Sequence, residues 1–168
     1  MKNFNYHEKL KKIKALIFDI DGVLSQSVIN MDKEGNPIRT TCVKDTYAIK
    51  VAQSRGLKLA IISGAYNDFV KHRFIYLGIK DEDIFLNSVR KTIDLQHYMN
   101  KEHLVADEIL YMGDDTPDIE ILENIGFPCC PLDAVQEVKD VCCYISKYNG
   151  GCGCVRDVIE QVLKTQNI

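Results

Sequence analysis

Residues 15–24 read ALIFDIDGVL. Four apolar residues, Ala15 to Phe18, run directly into Asp19, and a second acid, Asp21, stands two positions later, ahead of Gly22. The run is short and apolar at every position, which is the pattern of a strand buried on both faces. A carboxylate at the edge of such a core loses hydration, so it has to be paired, hydrated or bound to a cation. The same pattern returns at DEILYMGDD (107–115), where an apolar run ends on Asp114 and Asp115.

Working outward from these two stretches, strand-type and helix-type segments alternate. Ile13–Asp19 and Leu57–Ser63 read as buried strands, with shorter ones at DIFLN (83–87) and FPCCP (127–131). DTYAIKVAQSRG (45–56) reads as a helix with Asp45 as N-cap and Gly56 as stop. NDFVKHRFIYLG (67–78) places Phe69, Val70, Phe74 and Leu77 at helical spacing, and KTIDLQHYMNKEH (91–103) follows the same period. TPDIEILENIG (116–126) starts a helix with Thr116 at the cap and Pro117 at its first position, and CVRDVIEQVLKTQ (154–166) is amphipathic. Strands alternating with helix-length crossovers predict an α/β fold, a Rossmann-like doubly wound parallel sheet. Ligands bind such sheets at the carboxyl ends of the strands, so both acid pairs converge on one edge. Ser27–Val43 breaks the alternation. Its two short β-type stretches around Glu34-Gly35-Asn36-Pro37 predict a hairpin projecting from that edge.

With 168 residues, 46% of them hydrophobic, the chain suits one well-filled core, a single domain over 1–168 with the hairpin inserted at about 27–43. A net charge of −3 argues against nucleic acid as a partner. No window approaches the roughly 20 apolar residues of a membrane span. The lysines of MKNFNYHEKLKKIKALIF precede too short an apolar run for a secretory signal. Seven cysteines, an odd number with two adjacent pairs, suit reduced thiols in a cytoplasm better than a disulfide framework. Their spacing also departs from the C-x₂₋₄-C of structural zinc sites.

Carboxylates delivered by separate strands suit a hard cation such as Mg²⁺, with Asp19, Asp21 and Asp114 as its candidate ligands. Asp115 and Asp118 either support them, cap the Pro117 helix or order the loop. An EF-hand is excluded for DIDG, because a strand precedes it and the spaced third acid and distal Glu are missing. Ser63-Gly64 ends the second strand with a hydroxyl and a permissive backbone, and Lys91 opens a helix after NSVR. Each alone reads as a turn or a surface lysine; their order between the two acid groups is what matters.

FDIDGVL, IISG, Lys91 and GDDTPD match in order the four motifs of the haloacid dehalogenase superfamily, which the chain resembles over most of its length. The resemblance implies Asp19 as nucleophile, Asp21 as general acid/base, Ser63 and Lys91 as holders of the phosphoryl group, and Asp114 as a Mg²⁺ ligand. An Asp at the second position suits a phosphatase. The stretches between the motifs leave no room for a cap domain. In this the chain is similar to the capless tetrameric phosphatases of eight- and nine-carbon keto-sugar acid phosphates, the 3-deoxy-D-manno-octulosonate 8-phosphate phosphatases among them. VKDTYAI, VKHRFIYLGI and GGCGCVRDVIE support that likeness. It implies a small phosphorylated sugar acid as substrate and a homotetramer in which a neighbouring subunit covers the site. Arg39, Arg73 and Arg156 are then the candidates for the sugar acid's carboxylate, beside Ser63, Gly64 and Lys91 at its phosphate. Cys152 stands where such proteins often carry Arg, and Ala65 slightly favours the eight-carbon substrate. The competing expectations are a nine-carbon keto-sugar acid 9-phosphate, or a non-catalytic tetramerisation module.

Overall fold

A computed structural model of the chain describes residues 6–66 and 68–168. In chain order its elements are α1 (Tyr6–Lys12), β1 (Ala15–Phe18), the hairpin strands β2 (Asn30–Met31) and β3 (Pro37–Ile38), α2 (Val43–Ser54), β4 (Lys58–Ile62), α3 (Asp68–Tyr76), β5 (Ile84–Phe85), α4 (Lys91–Glu102), β6 (Ile109–Met112), α5 (Ile119–Leu122), β7 (Phe127–Cys130), α6 (Gln136–Val141), β8 (Tyr144–Ile145) and α7 (Cys154–Gln166). Six strands form one parallel sheet in the order β5-β4-β1-β6-β7-β8. β2 and β3 pair antiparallel apart from it.

The continuous apolarity of β1 has its reason in two cores. Leu16 and Phe18 face one side, with Leu59 and Ile61 of β4, Leu110 and Met112 of β6, Ala48 and Ile49 of α2, and Val155, Val158 and Val162 of α7. Ala15 and Ile17 face the other, with Leu95 and Tyr98 of α4, Ile121 and Leu122 of α5 and Val138 of α6. Each large apolar side chain buried this way contributes about 1.5–3 kcal/mol, so a strand loaded on both faces is a strong anchor. Phe18 lies opposite Ile61 on one side and Met112 on the other. That register brings the carboxyl ends of β4, β1 and β6 level, and Ser63, Asp19 and Asp114 each follow within two residues of a strand end. The Asp19 N–H donates to the Met112 carbonyl at 3.1 Å and so carries the pairing one residue past the strand.

The local expectations hold with corrections. α2 starts at Val43, two residues before Asp45. Asp45 is therefore not its N-cap, and its buried carboxylate caps α7 instead. The turn at Thr116–Asp118 is a single 3₁₀ turn leading into α5, and its cap is Asp115, whose carboxylate accepts the Thr116 N–H at 2.7 Å; Thr116 is inside the turn. The hairpin strands are two residues each, and Val43 belongs to α2. α1, α6 and β8 are elements that periodicity did not mark: two are short helices and one a two-residue edge strand. The expected helix start at Asn67 and the Phe69 side chain lie outside what the structure describes, as do residues 1–5 of the lysine-bearing N-terminal stretch. All seven cysteines are free. Among the described residues no helix is long and apolar enough to cross a membrane.

Candidate active site

Three strand ends deliver the site, and two tight loops shape it. After β1, the Ile20 N–H donates to Asp19 Oδ1 at 2.6 Å, and the Ser25 N–H closes back on the Ile20 carbonyl at 2.8 Å. Gly22 has φ of +81° inside this loop, and a Cβ there would fall within the Asp114 carboxylate. Glycine is required on both counts, since an L side chain is strained at that φ and has no space. The loop after β6 is set the same way, because a Cβ on Gly113 would collide with the side chain of Asp118.

Lys91, the first residue of α4, reaches the sheet edge from the opposite layer. Its Nζ donates to Asp19 Oδ2 and to Asp118 Oδ1, both at 2.7 Å, with all three side chains buried. Asp118 also accepts the Tyr111 hydroxyl at 2.5 Å on Oδ1 and the Asp114 N–H at 3.2 Å on Oδ2. Ser63, buried, offers its hydroxyl to Asp19 from the end of β4. The carboxylates of Asp19, Asp114 and Asp118 bring one oxygen each within 4.8 Å of one another.

The electrostatics follow from that crowding. Burial raises the pKa of Asp19 against the opposing charge of Lys91. Burial works against the Lys91 ammonium, yet the charges of Asp19 and Asp118 hold its pKa above the ordinary value. Asp114 is pushed up to about 7, by burial first and then by Asp19, Asp118 and Asp115. Burial, with Asp118 beside it, also drives the Tyr111 phenol well above its usual range, so it stays a donor. Three carboxylates against one ammonium leave excess negative charge on hard oxygen donors at the mouth of a parallel sheet. That donor set fits Mg²⁺.

The other expected residues are distributed unevenly. Asp21 does not join the carboxylate group: it is gripped by Arg39 and by the Ser25 hydroxyl. Asp115 is exposed at the turn it caps, whereas Asp118 both stands in the group and orders its loop. Gly64 is exposed beside Ser63. Arg73 is half-buried, its Nη2 donating to Thr46 Oγ1 at 3.2 Å. Arg39 and Arg73 share a groove of about 430 Å³ with Thr46, Ile49, Val70 and Phe74, and none of Asp19, Ser63, Lys91 or Asp114 lines it. Arg156 is not brought to the carboxylate group; its guanidinium pairs with Glu160 at 2.7 Å on the same helix.

Three participants escaped sequence reasoning. Tyr111 sits mid-strand, and only its place two residues before Gly113 could have hinted at the site. Asp45 reads as an N-cap, and Ser25 carries no signal of its own. The Gly150-Gly151 segment, which the sequence marks within GGCGCVRDVIE, packs on the β1 loop. The Gly151 N–H donates to the Val23 carbonyl at 2.8 Å, the Gly150 N–H donates to Asp133 Oδ1 at 2.8 Å, and a Cβ on Gly150 would strike the Gly22 carbonyl.

Comparison with known proteins identifies the family and the fold. Residues 67–159 match the model of a family described as haloacid dehalogenase-like hydrolase. The chain is 30% identical over 158 residues to the 3-deoxy-D-manno-octulosonate 8-phosphate phosphatase KdsC of Escherichia coli K12, covering 94% of this chain and 83% of that one. It is 29% identical to the KdsC of Haemophilus influenzae, covering 95% and 87%. The 3-deoxy-D-manno-octulosonate 8-phosphate phosphatase of Moraxella catarrhalis, solved with magnesium, phosphate and KDO, superposes with a TM-score of 0.91 at 32% identity, over 96% of this chain and 91% of that one.

Proposed function

From the premise that the chain belongs to the haloacid dehalogenase-like hydrolases, we propose that it is a Mg²⁺-dependent phosphatase that hydrolyses 3-deoxy-D-manno-octulosonate 8-phosphate to the free keto-sugar acid and phosphate. One observation carries the reading: a buried Asp19 at the end of the central strand, with Lys91, Ser63 and Asp114 around it. The named activity of the E. coli, H. influenzae and M. catarrhalis relatives supports the substrate.

The residues divide the chemistry into two displacements. Asp19 attacks phosphorus and the ester P–O bond breaks, while Asp21 gives its proton to the departing sugar oxygen. Asp21, now a carboxylate, takes a proton from water. The water oxygen bonds to phosphorus, the bond to Asp19 breaks, and phosphate leaves. Lys91 and the Ser63 hydroxyl hold the phosphoryl oxygens through both steps. Asp19 and Asp114, with Asp118 beside them, would hold Mg²⁺, whose charge would offset the repulsion between a carboxylate nucleophile and a phosphate dianion.

The protein acts as a single domain, and we infer a homotetramer in which a neighbouring subunit covers the site. Val28, Met31 and Ile38 on the hairpin, with Val43 and Tyr47 at the start of α2, are large, apolar and exposed. Such a patch beside a capless site fits a subunit contact. Light scattering checks this: a monomer that keeps full substrate selectivity excludes it. A cytoplasmic location agrees with seven free thiols.

The function is tested by Mg²⁺-dependent phosphate release from the eight-carbon ester, run beside nine-carbon keto-acid 9-phosphates and hexose phosphates, with Asp19→Asn as control. Preference for the eight-carbon ester, lost in the variant and on chelation, is the expected result. Preference for a nine-carbon ester replaces the substrate, and inactivity on every ester leaves only an assembly module.

A further inference from the structure

The Asp21 carboxylate accepts three hydrogen bonds, none of them from the carboxylate group. Ser25 Oγ donates to Oδ1 at 2.9 Å, Arg39 Nε to Oδ1 at 2.7 Å, and Arg39 Nη2 to Oδ2 at 2.8 Å. The last two make a bidentate fork, which fixes both the position and the plane of a carboxylate. The fork comes from the hairpin, since Arg39 is the first residue after β3. The hairpin's base is tied to the same loop, where the Gln26 N–H donates to Thr40 Oγ1 at 3.1 Å. The Arg39 side chain is only 12% exposed, and its Nη1 is buried with no partner among the described residues. A guanidinium that is desolvated and left one donor short is a poor device for stability. Its placement over Asp21 calls for a role in the reaction.

We propose that Arg39 is the positioning residue of Asp21, a reading that rests on Asp21 being the proton carrier described above. Each half of the reaction needs one Asp21 oxygen directed at the reacting group: at the ester oxygen while the P–O bond breaks, then at the water whose oxygen forms the new P–O bond. An ungripped Asp21 can swing on its χ torsions; one held through Nε and Nη2 stays within a small arc of the work. When the ester arrives, one oxygen leaves the fork, takes up a proton from solvent water and hands it to the departing oxygen. Between the two steps the fork takes the carboxylate back. The hairpin thereby does more than project from the sheet edge, since it carries the part that aims the proton carrier.

The test compares Arg39→Gln and Arg39→Lys with wild type on three esters in Mg²⁺: 3-deoxy-D-manno-octulosonate 8-phosphate, a hexose 6-phosphate without a carboxylate, and p-nitrophenyl phosphate, whose leaving group departs without a proton. In Arg39→Gln, kcat for both alkyl esters falls about 10- to 100-fold with KM held within about threefold, while the pre-steady-state release of p-nitrophenolate stays within about threefold of wild type. Arg39→Lys keeps the charge but not the fork and recovers part of kcat. A raised KM for the sugar acid ester alone, with the hexose ester unaffected, makes Arg39 a ligand of the substrate carboxylate and overturns the proposal. An equal loss on all three esters with a lowered melting temperature makes it merely structural and also overturns it. The hexose ester carries the comparison by itself if the sugar acid is not the substrate, so the two readings fail separately. A wild-type protein that hydrolyses none of the three overturns both.

Discussion

The loop after β1 and the loop after β6 do the same job by opposite means. Each leaves a strand buried on both faces, and each brings an acid to one edge over a glycine that a side chain would displace. The β6 loop is the more self-contained at its side chains, although the Val135 N–H donates to the Asp114 carbonyl at 3.0 Å. Asp118 takes donors from Tyr111, five residues before the turn begins, and from the Asp114 N–H, with Lys91 as its distant partner among the described residues. The β1 loop leans on remote parts of the chain: Arg39 from the hairpin, the Gly150-Gly151 turn, and Cys154 at the start of α7. A locally closed loop makes a rigid socket. A loop propped from outside can be adjusted by whatever moves its props, which suits Asp21 in the proton-carrying role proposed for it.

That contrast can be broken from either side. The largest effect is expected for Gly22→Ala, where the two loops touch. A Cβ at φ of +81° also invades Asp114, and moving a catalytic group by about 1 Å costs on the order of 100-fold, so kcat should fall by at least that much with a lower melting temperature. Next comes Asp114→Asn. The folded pKa of Asp114 lies near 7, above the 3.8 of the unfolded chain, so the folded state holds the extra proton between those values. Stability of the metal-free protein therefore falls as pH rises from about 4 to about 7, and above 7 the penalty amounts to about a few kcal/mol. Metal-free Asp114→Asn should melt higher than metal-free wild type at pH 8, with the gap closing toward pH 4, and should gain no stability from Mg²⁺. Calorimetry across that pH range decides it.

Smaller effects separate local from remote support. Tyr111→Phe removes one donor from the buried Asp118 and should cost about 1 kcal/mol in denaturant titrations and lower kcat modestly, without changing KM. Asp45→Ala removes the acceptor for the Gly153 and Arg156 N–H groups at 3.1 and 2.7 Å, loosening α7 and the glycine turn beside it. Losing a helix cap costs about 1 kcal/mol, and the relief of a carboxyl whose pKa burial has raised offsets part of it, so this is the smallest change. A larger loss of activity from Asp45→Ala than from Tyr111→Phe would sharpen the comparison, by showing that the β1 loop depends more on its remote props than the β6 loop does on its local donors.

What was legible in advance was whatever repeats along the chain. Apolar runs that stop on acids located β1 and β6, and helical spacing located α2, α4 and α7, the last at its observed ends. Asp19, Lys91 and Asp118 stood in recognisable order, although their sharing of one ammonium did not. Illegible were the pairings that cross the fold. Asp45 looks like an N-cap to the segment that follows it, and its real partners lie more than a hundred positions away, with |i−j| of 108 and 111. Arg39 reads as one of three candidates for a substrate carboxylate, and its hold on Asp21 emerges only when the hairpin folds back. α6 and β8 are too short to establish a period, so only the sheet edge they complete defines them.

The glycine turn against the β1 loop also sets an order of events during synthesis. Val23 accepts both the Gly151 N–H and the Cys154 thiol, and the latter contact spans 131 positions. A nascent chain still threading its C-terminal third through the ribosome can pair β1 with β4 and bring Arg39 to Asp21, but it lacks the glycine turn and α7 that brace the other side of that loop. Contacts of such separation close late, because the intervening chain has to be ordered first. The β1 loop therefore receives its last support only once α7 has docked.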